Sequence, residues 1–267
     1  MILIGELLNS TRKKVRAALE ARDIAHIQDL ARRQAEAGVT YIDVNTGALL
    51  DREKEAMEWL IRTVREVTDC RLCIDSPDPE TLALGLELGG PGTMINSISA
   101  EAKRYERVIP LVVKHKAPVI ALGMDGEGLP EDEKRGFKIL SQLVARMEGD
   151  GVGREQIFAD PLVRPAGANT RIPPVVLNVI SRVRAAFPDI HISGGISNVS
   201  HGLPVRKLLN RAFLTLALSR GLDAAILDPL DRELMAEIAA AEVFLGRDEF
   251  AMNYIRLYRA GQLEEAP

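Results

Sequence analysis

The chain has 267 residues, of which 34 are Lys or Arg and 38 are Asp or Glu, giving a formal net charge of −4. A mildly acidic chain lacks the basic surface of nucleic-acid-binding domains, and no apolar run reaches the roughly 20 residues that span a bilayer. Two cysteines are too few for a disulfide scaffold, and the N-terminal apolar stretch is too short for a signal peptide. We therefore expect a globular protein of the reducing cytoplasm, with neither nucleic acid nor membrane as a partner.

Short apolar runs, read as β-strands, alternate with amphipathic stretches along the whole chain. The runs are residues 2–4, 41–44, 72–74, 93–95, 119–122, 157–159, 190–192 and 224–227. The stretches between them carry apolar residues three and four positions apart, which predicts helices. Strand and helix repeated eight times with short connections predict a (β/α)8 TIM barrel of the α/β class, whereas an open doubly wound sheet seldom needs eight units. One domain is expected over 1–267, with 248–267 as an extra helix and tail.

A short polar residue follows nearly every predicted strand, at the end where barrels place their active sites. Asp and Asn also form turns and cap helices, which explains any one of these residues taken alone. That explanation suits the whole ring poorly, because Asp43 lies within an apolar run and Asn96 directly follows Met94 and Ile95. Ionised carboxylates accept hydrogen bonds, and an asparagine both donates and accepts them. Such a ring suits a flat heterocycle with an amino group, a ring N–H and a carbonyl.

The strand-end segments, taken in chain order, resemble those of the pterin-binding barrel family. They read ELLNSTR, YIDVNTG, CIDSPDP, MINSIS, ADPLV and GGISNVS. GGISNVSHGLPVRKLLNRAFL at 194–214 is most similar to the methyltetrahydrofolate:corrinoid methyltransferases and to the folate module of cobalamin-dependent methionine synthase. The resemblance covers nearly the whole chain. It implies a single pterin-binding barrel that moves a methyl group between N5 of methyltetrahydrofolate and cobalt(I) of a corrinoid.

The same resemblance implies a role for individual residues around the pterin. Asp75, Asn96 and Asp160 would hold its aminopyrimidine edge. Asn198 would reach the N5 side, where the methyl group sits, and is the predicted catalytic residue. A tertiary amine leaves poorly, so N5 must gain a proton or a strong hydrogen bond during transfer. Because cobalt(I) is the nucleophile, the protein has to supply orientation and charge placement.

Further residues are implied at the edge of the site. His201 and Arg206 match positions that approach the substrate in similar enzymes. Glu6 matches the Gly-Glu of the family's first strand, although GELLN stands where an arginine commonly follows that glutamate. Glu6, Asp43 and Asn45 are expected to support the residues that touch substrate.

The corrinoid is expected to arrive on another protein. Residues Asp189–Gly194 match D-x-H-x-x-G, a cobalamin-ligation signature, but they coincide with the seventh strand rather than with a loop of a separate module. The partner is therefore a corrinoid iron–sulfur protein or a small corrinoid protein of a demethylation system. The resemblance also implies a homodimer, and no metal site is predicted, because Cys70-x-x-Cys73 lacks the further ligands that zinc needs.

Three other functions stay open at this point. A dihydropteroate synthase-like pterin enzyme is one, although those synthases carry a glycine-rich loop after the second strand, where this chain reads DVNTGALLD. A non-catalytic folate-binding module is another. A glycoside hydrolase also uses paired carboxylates at a barrel mouth, but aromatic residues for stacking sugars make up only 4% of the chain.

Overall fold

Eight parallel strands form the wall of a barrel in the computed structural model, which describes residues 1–263. The strands are β1 Ile2–Asn9, β2 Tyr41–Asn45, β3 Arg71–Asp75, β4 Met94–Ser99, β5 Val119–Leu122, β6 Ile157–Asp160, β7 His191–Ile192 and β8 Ala224–Leu227. They are hydrogen-bonded in the order β7-β6-β5-β4-β3-β2-β1-β8. The ring closes just beyond β7, where the amide of Ile226 donates to the carbonyl of Gly194 at 3.0 Å. The predicted (β/α)8 barrel is confirmed.

Helices surround the barrel. They are α1 Lys13–Ala21, α2 Ile24–Glu36, α3 Glu53–Arg65, α4 Pro79–Gly89, α5 Ala102–His115, α6 Glu133–Gly149, α7 Ile172–Ala186, α8 Arg206–Ser219, α9 Arg232–Phe244 and α10 Met252–Arg259. Helix α1 was not expected from the sequence, since its apolar stripe is only Val15, Ala18 and Leu19. Helix α10 lies within the predicted C-terminal extension, of which residues 264–267 are outside the described residues. Among residues 1–263, no helix is both long enough and apolar enough for a membrane crossing.

Local chemistry sets the ends of several helices. The side chain of Asp23 accepts a hydrogen bond from the His26 amide at the start of α2, and Gly38 follows the end of α2 with a φ of +83°. Asp78 accepts from the Glu80 and Thr81 amides ahead of α4. These caps satisfy amides that a helix start leaves without partners, and glycine adopts the left-handed turn without strain.

Strand β1 extends beyond its predicted end. Its pairing with β2 shifts register between Gly5 and Leu8, so both Leu7 and Leu8 are buried. The Leu7 amide donates to Oε1 of Gln34 on α2 at 3.1 Å. A Cβ at Gly5 would collide with that same oxygen, so glycine is required for the close approach. The bulge therefore carries β1 on to Asn9, at the mouth of the barrel.

The inside of the barrel is layered by the two-residue period of its strands. The inner layer is apolar apart from its cysteine thiol and tyrosine hydroxyl, and consists of Ile4, Tyr41, Cys73, Met94, Ile120, Phe158 and Ala224. Alternate residues of a strand face the same side, so the residues two positions further on form the next layer toward the mouth. That layer consists of Glu6, Asp43, Asp75, Asn96, Leu122, Asp160 and Ile226, and it is mostly polar. Apolar packing thus forms the floor beneath a polar site.

Candidate active site

A cavity of about 700 Å³ opens at the carboxyl ends of the strands. Every residue predicted for the site lines it except Asn45. The wall also includes four aliphatic side chains, namely Leu122, Leu162, Val163 and Ile226. A concave space of this size with a few fixed polar groups is typical of a small-molecule site.

Asp43 and Asn96 are joined at the floor of the cavity. Nδ2 of Asn96 donates to Oδ1 of Asp43 at 3.2 Å, so the amide of Asn96 is oriented and its Oδ1 can accept from a ligand. Burial, and then the neighbouring carboxylate of Asp75, raise the pKa of Asp43 well above its usual range. Asp43 therefore acts as a buried support for Asn96.

Asp75 is held by Asn45, its neighbour on the adjacent strand β2. Nδ2 of Asn45 donates to Oδ2 of Asp75 at 2.9 Å, and Oδ1 of Asn45 accepts from the hydroxyl of Ser10 at 2.8 Å. Burial raises the pKa of Asp75 to about 6, although the bond from Asn45 and the charge of Arg104 lower it. Asn45 thus supports Asp75 without lining the cavity.

Asp160 ends β6 and begins a tight turn. Its Oδ1 accepts from the Leu162 amide at 2.7 Å, which leaves the second carboxylate oxygen available to a ligand. Burial raises the pKa of Asp160 to about 7, against the lowering effect of that hydrogen bond. A ligand with N–H groups would favour the ionised form of this carboxyl group.

Asn198 stands on a 3-10 turn, Ile196–Ser200, between β7 and α8. Its own amide donates to the Gly195 carbonyl at 3.2 Å, and its carbonyl accepts from the His201 amide at 3.2 Å. The turn brings Asn198, His201 and Ser197 to the wall of the same cavity as the three predicted pterin ligands.

One ion pair and three hydrogen bonds lie at the edge of the cavity next to this turn. Oε1 of Glu6 is 2.8 Å from Nη2 of Arg12, and its Oε2 accepts from the hydroxyl of Ser197 at 2.7 Å. Arg206 donates through Nη2 to the Ser197 carbonyl at 2.7 Å and through Nε to Oγ of Ser200 at 3.0 Å. Arg206, predicted to approach substrate, thus also holds the turn that carries Asn198.

Sequence reasoning missed several residues of the site. Asn9, Thr11 and Arg12 reach the cavity because β1 is longer than predicted. Arg104 lies on α5, and its guanidinium donates to the Ser76 carbonyl and the Ser97 carbonyl at 2.9 and 3.0 Å, joining the loop after β3 to strand β4. Helical periodicity gave no signal for Arg104, because its role depends on segments that only the fold brings together.

The D-x-H-x-x-G segment runs along β7, and its histidine lies at the amino end of that strand. His191 begins β7, where Nδ1 is 2.9 Å from Oδ2 of Asp223 and the ring stacks on Phe158 with centroids 4.5 Å apart. Asp223 directly precedes β8, so the pair marks the amino ends of the strands. His191 is engaged in barrel packing, as the sequence position indicates.

A search against protein families identifies a match to the family described as "Pterin binding enzyme" over residues 5–228. The methylcorrinoid:tetrahydrofolate methyltransferase of Eubacterium limosum is 35% identical over 265 residues, which cover 98% of each chain. The methionine synthase of Mycobacterium tuberculosis is 28% identical over 245 residues, which cover 85% of this chain and 20% of that protein.

Solved structures of similar shape include dihydropteroate synthases. That of Xanthomonas albilineans, in complex with 7,8-dihydropteroate, has a TM-score of 0.68, with 18% identity over 93% of this chain and 94% of that one. That of Yersinia pestis, with a pterine–sulfa conjugate, also has a TM-score of 0.68, with 16% identity over 92% and 93% of the two chains. At these identities the likeness shows a shared fold.

Proposed function

This chain belongs to the pterin binding enzyme family, and we propose that within it the chain is a methyltransferase that acts between N5 of methyltetrahydrofolate and cobalt(I) of a corrinoid. The observation that carries the proposal is the single cavity in which Asp75, Asn96, Asp160 and Asn198 meet. A relative named methylcorrinoid:tetrahydrofolate methyltransferase, similar over 98% of both chains, supports this activity.

The acceptor groups of the cavity suit the aminopyrimidine edge of a pterin. Asp75 and Asp160 would accept hydrogen bonds from its amino group and ring N–H. Asn96 would offer Oδ1 to an N–H, because its Nδ2 is already engaged by Asp43. A buried hydrogen bond contributes about 1 kcal/mol, and about 1.5 to 3 kcal/mol when one group is charged. Together these contacts would fix the ring in one orientation.

Asn198 would serve the N5 side of the ring. A hydrogen bond from its side chain would strengthen as positive charge develops on N5, so it would favour the transition state over bound substrate. Asparagine does not titrate, so the proton itself comes from water or from another group. A bound corrinoid would supply the nucleophile through its cobalt(I), and the residues of this chain would hold and polarise the pterin.

The corrinoid would be carried by a separate protein, either a corrinoid iron–sulfur protein or a small corrinoid protein. Within residues 1–263, no three His, Cys, Asp or Glu side chains are grouped as ligands of one metal ion. The name of the Eubacterium limosum relative, which refers to a methylcorrinoid, supports a corrinoid partner.

A homodimer is also proposed, with α8 in its interface. Leu208 and Leu216 are 63% and 53% exposed, and with the exposed Ala212 they recur every four residues on the outer face of this helix. Such a stripe is unusual on the solvent side of a barrel helix. Replacing both leucines by Arg should yield monomers in light scattering, whereas Val113→Arg on α5 should not.

A cytoplasmic location fits the two free thiols, Cys70 and Cys73.

The activity is tested by mixing the protein anaerobically with methyltetrahydrofolate and reduced cob(I)alamin. Loss of the cobalt(I) absorbance that requires both protein and folate would establish methyl transfer. If folate binds and the absorbance persists, the test is repeated with a corrinoid protein, and continued absence of transfer leaves a binding module. If folate does not bind but 7,8-dihydropteroate does, a synthase-like function replaces the proposal. Binding of an oligosaccharide instead would favour a glycosidase.

A further inference from the structure

The turn that carries Asn198 is tied down from two directions. On one side the Ser197 hydroxyl donates to Glu6 on β1, 191 positions away in the chain, at 2.7 Å. On the other side Arg206, at the start of α8, donates to the Ser197 carbonyl at 2.7 Å and to Oγ of Ser200 at 3.0 Å. Glu6, Ser197 and Arg206 are together called the brace.

Glu6, which accepts the hydrogen bond from Ser197, is itself held in place. The side chain of Glu6 is 13% exposed, and its other oxygen is 2.8 Å from Nη2 of Arg12. A carboxylate held by an arginine and partly shielded from water keeps its position, and hydrogen bonds to charged groups are the stronger kind. The brace therefore connects the loop after β7 to β1 past the intervening strand β8.

The position of the Asn198 side chain also depends on the lack of a side chain at Gly195. A Cβ at Gly195 would lie 2.8 Å from Nδ2 of Asn198, closer than such contacts normally occur. The φ of Gly195 is −79°, which alanine adopts without strain. A Cβ at this position would therefore displace the Asn198 amide from the space that it occupies.

We propose that Glu6, Ser197 and Arg206, together with the space at Gly195, position the Asn198 side chain for the N5 side of the substrate. This inference rests on the proposed function, because it assigns the brace to the reaction step in which Asn198 acts. A mispositioned catalytic group reduces rate more than binding, since its interaction is strongest in the transition state. The brace residues are thus positioning residues.

The first test separates rate from binding in Ser197→Ala and Gly195→Ala. Single-turnover transfer to cob(I)alamin should slow about tenfold or more, while the Kd for methyltetrahydrofolate should change by less than about threefold. Glu6→Gln, which keeps an acceptor for the Ser197 hydroxyl, should retain more activity than Glu6→Ala. Gly126→Ala is the matched control, since nothing lies within 4 Å of a Cβ there. Thermal melting checks that each variant folds. If Ser197→Ala does not fold, Gly195→Ala provides the comparison of rate with binding.

The decisive test repeats Ser197→Ala in an Asn198→Ala background. If the brace acts through Asn198, removing it there should cost less than about twofold in rate. An equal loss in both backgrounds, or a Kd that rises in step with the loss of rate, would overturn the inference and leave the proposed function intact. A wild-type rate in Asn198→Ala alone would instead refute the role of Asn198, and the brace would then have nothing to position.

Discussion

The two sides of the cavity hold their polar groups in different ways. The acceptor cluster, formed by Asp43, Asp75, Asn96 and Asp160, is deep in the barrel, and burial raises the pKa of each of its three carboxyl groups. At the brace, by contrast, the Glu6 carboxylate has an arginine partner at 2.8 Å and a serine donor at 2.7 Å.

This difference separates binding from positioning. Carboxyl groups whose pKa values are raised by burial gain most when a ligand brings N–H donors, so the acceptor cluster is suited to select and hold a ring. The groups of the brace already form hydrogen bonds within the protein, so a ligand adds little interaction energy there. Those same hydrogen bonds restrict their movement. We therefore expect changes on the two sides to affect different measured quantities.

The largest effect is expected on the rate, from Asn198→Ala. Loss of a hydrogen bond that is strongest in the transition state should slow methyl transfer about a hundredfold, with a much smaller change in the Kd for methyltetrahydrofolate. Single-turnover kinetics and a binding titration on the same preparation measure the two quantities. Equal losses in rate and affinity would contradict the selective role.

The next effect is expected on binding, from Asp160→Asn. Replacing the acceptor carboxylate by an amide should weaken methyltetrahydrofolate binding by about ten- to a hundredfold, because a charged hydrogen bond is lost. Asp189→Asn, a change at an exposed carboxylate 3.5 Å from Arg154, should leave affinity unchanged. Normal binding by the Asp160 variant, measured by calorimetry, would remove this residue from the site.

The same substitution should raise the stability of the unliganded protein. The folded-state pKa of Asp160, about 7, is above that of an unfolded aspartate, so the folded state binds the proton more tightly. Stability is therefore lost as pH rises from about 4 to about 7, by up to a few kcal/mol for a shift of this size. Asp160→Asn should be the more stable protein in urea at pH 8, and this gain should shrink as pH falls through that window.

A smaller effect is expected of pH on folate affinity. Binding to N–H groups requires ionised Asp160 and Asp75, whose pKa values are raised to about 7 and about 6. Affinity should therefore fall as pH drops below about 7, by no more than tenfold per unit for each proton released. Calorimetry in buffers of different ionisation enthalpy, corrected for titration of the free ligand, counts those protons. Asp160→Asn should abolish the part of this pH dependence that lies near pH 7.

The smallest effect is expected from His191→Gln, at the end of the barrel opposite to the cavity. Its hydrogen bond with Asp223 lies at the amino ends of the strands, so folate affinity and transfer rate should match the wild type. Only stability should fall, by about 1 kcal/mol. A large loss of transfer to cob(I)alamin would contradict a purely structural role for this histidine.

The sequence by itself determined the barrel and the inward layer of its site. Apolar runs with helical stretches between them predict the strands, and the period of two then places Asp75, Asn96 and Asp160 on the same inward faces as Cys73, Met94 and Phe158. These are short-range patterns, which composition and spacing express directly. The motif at 194–214 added the family, which the match over residues 5–228 confirms.

Only the tertiary structure decided what surrounds those residues. The bulge that carries β1 to Asn9 depends on Gln34, and the brace joins Glu6 to Ser197 across 191 positions of chain. Arg104, on helix α5, joins the loop after β3 to strand β4. The roles of these side chains depend on partners that are distant in the chain, so no local sequence pattern indicates them. A barrel brings such partners together because its closed ring places the first strand beside the last.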